Sequence, residues 1–122
     1  MLSGEFFTIR SMDMEAGSVK AVLELNAAHD IFSGHFPGTP VVPGVCMMQI
    51  VKEIMENIRG TPLLLSKADL MKFLIVIDPR VNSMLLVEVL YKLMEDDSMS
   101  VSANLFAGGA VCFKFKGLFR KE

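Results

Sequence analysis

Apolar and polar residues alternate every second position through much of this chain. Between residues 18 and 26, Val19, Ala21, Leu23 and Leu25 alternate with Lys20, Glu24 and Asn26, which predicts a strand with one buried face. Residues 5–12 predict an earlier strand, joined to it through a turn at Met14-Glu15-Ala16-Gly17. Proline and glycine recur through residues 27–42, which therefore read as an ordered loop. The period then changes. Pro43 suits a first helical turn, where its missing N–H costs nothing, and the helix should run to about Arg59. Gly60 supplies a left-handed stop and Pro62 prevents continuation. Met47, Met48, Val51, Ile54, Met55 and Ile58 cover most of the helix, leaving a stripe of Val45, Gln49, Lys52, Glu53 and Glu56. A helix this apolar is expected to be wrapped by a sheet.

Beyond the helix the period of two returns. Residues 63–77 predict a long apolar strand ended by Asp78-Pro79. Residues 83–93 place Leu85, Val87, Val89, Tyr91 and Leu93 on one face, and in 98–106 Met99, Val101, Ala103 and Leu105 alternate with Ser98, Ser100, Ser102 and Asn104. Gly108-Gly109 is a two-residue hairpin signal, and 110–119 returns with Val111, Phe113, Phe115 and Phe119 against Lys114 and Lys116. The expected order is two strands, one long helix, then a meander of three or four strands, an α+β pattern.

Composition narrows the function classes. The chain has 122 residues, 52% hydrophobic and 21% charged, which predicts one globular domain over 1–122. Such a chain buries about two-thirds of its unfolded surface. Its apolar excess fits either a partner subunit or lipid-like ligand, or simply a full core. A net charge of −2 argues against a nucleic-acid module, which needs a broad basic face. Cys46 and Cys112 form no CxxC pattern and only two histidines are present, so a zinc site is not expected. Two buried, reduced thiols, no secretory signal pattern and no apolar run of about 20 residues together predict a soluble cytoplasmic protein.

The candidate chemistry sits before the helix. His35, in His35-Phe36-Pro37-Gly38, lies close in sequence to a helix N-terminus opened by Pro43-Gly44. Backbone N–H groups at such an end have no intrahelical partner and can hold a developing negative charge. A neutral imidazole beside an oxyanion site suits removal of a proton alpha to a carbonyl. Gln49 is an amide at a helix position where a carboxyl would complete the site, and an amide cannot protonate a leaving hydroxide.

Residues 29–49, with Gly34-His35-Phe36-Pro37-Gly38 followed by Pro40-Val41-Val42-Pro43-Gly44, resemble the signature of the 3-hydroxyacyl-acyl-carrier-protein dehydratases of fatty-acid synthesis. Residues 68–91, with Lys72-Phe73, are similar as well, so the likeness spans most of the chain. It implies a hot-dog fold, an antiparallel sheet curled around one long helix and paired as a dimer. It implies His35 as base at C2 and the Gly44 N–H as donor to the thioester carbonyl. The Asp or Glu that handles the departing hydroxyl in that family, usually contributed across the dimer interface, is Gln49 here, and the family's usual glutamine one turn later is Glu53, so the two are exchanged. Glu53 is then either a replacement acid, acting through water or Gln49, or a surface partner for a lysine. Phe32, Phe36, Met47 and Met48 are either core or the lining of an acyl tunnel. Lys114, Lys116, Arg120 and Lys121 either receive an acidic acyl carrier protein or form a solvated strand face. The implied reaction converts 3-hydroxyacyl thioesters to trans-2-enoyl thioesters for fatty-acid or related lipid or polyene synthesis, without metal or redox cofactor. Its partners would be the carrier protein and a second copy, with further assembly of dimers open, and neither nucleic acid nor membrane span. Two rivals stand beside it: an impaired acyl-binding subunit that pairs with a complete homologue, and, third in rank, a thioesterase.

Overall fold

Six strands and one long helix make up most of the molecule, a computed structural model that describes residues 2–34, 38 and 40–122. The strands are β1 (Phe7–Glu15), β2 (Ser18–Leu25), β3 (Leu63–Phe73), β4 (Met84–Leu93), β5 (Met99–Ala107) and β6 (Ala110–Lys121). The helices are the short α1 (Asp30–Gly34) and the long α2 (Gly44–Arg59). All strand pairings are antiparallel, in the order β1-β2-β4-β5-β6-β3. The chain is therefore α+β in class, a single sheet packed on one long helix.

Register follows from the alternation. Val19 pairs with Val89, Ala21 with Val87 and Leu23 with Leu85 across β2 and β4. Val87 continues to Leu105, and Ala103 to Phe115, so one face of four strands is a continuous apolar floor. A slip of one residue would turn this whole set outward, which is why the pairing is specified so firmly. Gly108 and Gly109 take φ of 58° and 81°, the two positive values a tight primed hairpin between β5 and β6 demands.

On that floor lies α2. Ile50, Val51, Ile54 and Met55 are fully buried, and each contributes about 1.5–3 kcal/mol. Pro43 precedes the helix with no side-chain cap, a feature worth only about 1 kcal/mol where present. Burial therefore holds the helix far more than its ends do. At the other end Gly60, at φ 71°, closes the helix by donating its N–H to the Glu56 carbonyl, the stop that sequence predicts.

Four expectations change. β1 runs on to Glu15, so the turn contracts to Ala16-Gly17. The loop before α2 contains α1, begun by Asp30. The long strand expected over 63–77 ends at Phe73, although Leu74 still donates to the Cys112 carbonyl at 2.9 Å. Last, β3 does not extend a meander; it crosses to pair with β6 at the sheet edge, through two register shifts. Among the described residues no helix is long and apolar enough to cross a membrane.

Candidate active site

The start of α2 is fixed from two sides. Val42 donates its N–H to the Ile77 carbonyl at 2.9 Å, tying the incoming chain to the segment after β3. The Pro43 carbonyl then accepts from Cys46 and Met47, which makes Gly44 and Val45 the first residues of the helix. The ring of Phe73 lies against Gly44: a Cβ there would sit 2.9 Å from its Cε1 and 3.0 Å from its Cζ. Phe73 is itself stacked on Phe113, with ring centroids 4.9 Å apart. Glycine at position 44 thus lets an aromatic ring approach the first residue of the helix, whose free N–H groups can hold an oxyanion.

A cavity of about 540 Å³ opens beside this corner, lined by Gly44, Val45, Met48 and Gln49 of α2, by Leu65, Met71 and Phe73 of β3, and by Phe119 of β6. Lys52 stands at its polar side. That size and apolar lining suit an acyl chain. A second cavity of about 500 Å³ shares Gln49 and Lys52 and is bordered by the carboxyl-bearing Glu53, Glu56 and Glu122, with Asn57, Thr61 and Pro62. Gln49 therefore stands between the acyl-sized apolar cavity and one bordered by three glutamates.

Glu53 is not on the solvated stripe. It is 4% exposed, the one buried charged side chain among the described residues. Its Oε2 accepts from Leu2 N at 2.8 Å and from Gln49 Nε2 at 3.0 Å, and its Oε1 accepts from Ser3 N at 2.8 Å. The expectation of a surface pair with a lysine is overturned: two main-chain donors some fifty residues away, invisible in helical periodicity, draw this carboxylate inward. Three N–H donors take three of the roughly four acceptor sites of this buried carboxyl group.

The remaining sequence candidates divide. His35 and Phe36 lie outside the described residues. Phe32 is buried in the core and stacked on Phe6 at 5.1 Å, so it packs against the sheet and lines neither of the two cavities. Met47 is buried and faces Phe73, Leu74 and Val76 across a smaller cleft, whereas Met48 lines the apolar cavity. Lys114, Lys116, Arg120 and Lys121 are exposed, and Lys121 Nζ lies 2.7 Å from Asp97. Burial raises the Cys46 thiol and pushes Cys112 up to about 11, which leaves both poor nucleophiles. His29 is a structural histidine, its Nδ1 accepting from Ile31 N at 3.1 Å and its ring set edge-on to Phe6. Sequence reading did not find Leu65, Met71 or Phe119 as cavity residues. Strand alternation marks Phe119 as inward but cannot say that a cavity lies beneath it.

A family model described as ApeI dehydratase, ApeI-like, matches residues 11–107. The 3-hydroxyacyl-[acyl-carrier-protein] dehydratase FabZ of Fusobacterium nucleatum subsp. nucleatum is 35% identical over 57 residues, 43% of this chain and 40% of that protein. The chain thus spans two-fifths of the length of that curated relative. The dehydratase heterocomplex ApeI:P from Xenorhabdus doucetiae superposes with a TM-score of 0.72 at 21% identity, over 93% of this chain and 97% of that one. The (R)-hydratase from A. caviae involved in PHA biosynthesis does so with a TM-score of 0.68 at 15% identity, over 92% and 100%. These structural likenesses establish the hot-dog fold.

Proposed function

The chain belongs to the ApeI-like dehydratase family, and on that premise we propose that it eliminates water from 3-hydroxyacyl thioesters carried on an acyl carrier protein, giving trans-2-enoyl thioesters. The observation that carries this reading is the apolar cavity of about 540 Å³ opening beside the Gly44 end of α2. An acyl chain seated there brings its thioester carbonyl to the helix's first amide. His35, nine positions before Gly44, removes the C2 proton, and the enolate-like oxygen that results is held by the Gly44 N–H. The thioester itself acidifies the C2 hydrogen, so the step needs no metal or redox cofactor. The hydroxyl then departs from C3 as water. Such soluble substrates fit a cytoplasmic protein, one domain over residues 1–122.

The working unit in this reading is a homodimer. β3 is an edge strand whose free backbone groups invite a second strand, and it exposes Leu65, Met71 and Phe73, followed by Leu74, Ile75 and Val76, the last 73% exposed. A second copy joined along β3 covers these groups. Sedimentation should give twice the chain mass of 13.5 kDa, and Leu74→Lys with Val76→Lys should return it to one chain without loss of helix or sheet signal. An unchanged mass would place the interface elsewhere.

A second reading rests on Gln49. The chain is then an acyl-binding subunit that joins a complete homologue carrying Asp or Glu at the equivalent position, an association for which a fold relative described as a dehydratase heterocomplex is a precedent. Incubating the purified protein with 3-hydroxyacyl carrier-protein substrates of several lengths separates the two. Enoyl product by mass spectrometry is expected. Acyl binding with no product at any length would favour the heteromeric subunit. A thioesterase ranks behind both, because Glu53 is already committed to three donors and is not free to activate water.

A further inference from the structure

The bond between Gln49 and Glu53 decides which end of an amide the substrate meets. A buried carboxylate that accepts from Leu2 N and Ser3 N can only accept from Gln49 too, so Gln49 must turn its Nε2 toward it, as the 3.0 Å contact shows. An amide with its nitrogen so engaged carries Oε1 on its opposite side. Glu53 borders only the second of the two cavities, whereas Gln49 borders both. Gln49 is the member of this pair that reaches the apolar cavity, and the end of its amide not bound to Glu53 is Oε1.

We propose that Glu53 is a positioning residue that fixes Gln49 with its carbonyl oxygen toward the acyl cavity, so that the site selects a hydroxyl donor at C3 over a 3-oxo group. A 3-hydroxyl can donate to Oε1. A ketone is an acceptor only, and would set two oxygens against each other. The inference rests on the acyl-thioester reading above and adds what distinguishes one oxidation state of the substrate from the next. It also assigns Glu53 a different part from that of a replacement acid: its oxygens hold the main chain of residues 2 and 3 and the amide of Gln49, and it carries no proton to the substrate.

The test uses 3-hydroxyoctanoyl- and 3-oxooctanoyl-pantetheine with an amide in place of the thioester, so that neither reacts. The unaltered protein should bind the hydroxy compound about tenfold more tightly, the value of one well-made hydrogen bond set against its loss. Gln49→Leu should bring the two affinities together. Glu53→Leu should erase the preference. Leucine accepts no hydrogen bond, so the Gln49 amide is no longer held by its nitrogen and can turn either end to the cavity. A purely structural Glu53 would lower both affinities in parallel and leave their ratio unmoved, and that result would overturn the inference. So would equal affinities in the unaltered protein, or a preserved ratio in Gln49→Leu. Absence of binding by either compound would overturn the acyl reading and this inference with it, whereas equal binding of the two removes only this one.

Discussion

His35→Asn should slow formation of enoyl product by about 10²–10⁴-fold while leaving binding of a saturated acyl-pantetheine within a factor of about two. Asparagine keeps a hydrogen-bonding group near the site but cannot take a proton, so the substitution separates holding the substrate from deprotonating it. The other components would persist in this variant. The Phe73 ring still lies against Gly44 at the start of α2, and the apolar cavity beside it is unchanged. Single-turnover assays with a 3-hydroxyacyl carrier-protein substrate measure the first quantity and calorimetry the second. A rate within about threefold of the unaltered protein would remove His35 from the chemistry and send the search for a base elsewhere.

Exchanging the helix pair, Gln49→Glu with Glu53→Gln, should raise turnover by about 10²-fold if the proposed dehydration holds, because it returns a proton donor to the position assigned there to the departing hydroxyl. Gln49→Glu alone should gain less. Its new carboxyl would lie within hydrogen-bond distance of buried Glu53, and two carboxylates that close share a proton between them. The proton that bridges the pair is then withheld from the substrate. In the exchange, the amide introduced at position 53 donates to the carboxyl introduced at position 49, and the bridge reverses polarity. One main-chain N–H of residues 2 and 3 loses its acceptor in return, at about 1–3 kcal/mol. The variant should therefore be faster and melt several degrees lower, a pairing that steady-state kinetics and thermal unfolding read together. Turnover at the original rate would show that a carboxyl at position 49 is not what this site lacks.

The two helix residues also show what periodicity can and cannot carry. A stripe through Gln49, Lys52, Glu53 and Glu56 is what the sequence displays, and by that measure Glu53 belongs to water. It is buried because Leu2 and Ser3 pack beside α2 and bring two unpaired amides with them. No property of residues 49–56 encodes that approach. Conversely, the helix's length, its Gly60 stop, the Gly108-Gly109 hairpin and the inward faces of β2, β4 and β5 were all legible, since each depends on neighbours within a turn or a strand.

Chain-local chemistry thus determined the element types and their buried faces, because backbone geometry and side-chain alternation act over a few residues. Tertiary structure alone decided that β3 crosses to the edge beside β6, that Phe73 lands on Gly44, and that Glu53 turns inward to hold Gln49. Those contacts join segments tens of residues apart. They are set by which surfaces remain to be covered and which donors remain to be paired once the local elements exist, and neither is a property of any single stretch of sequence.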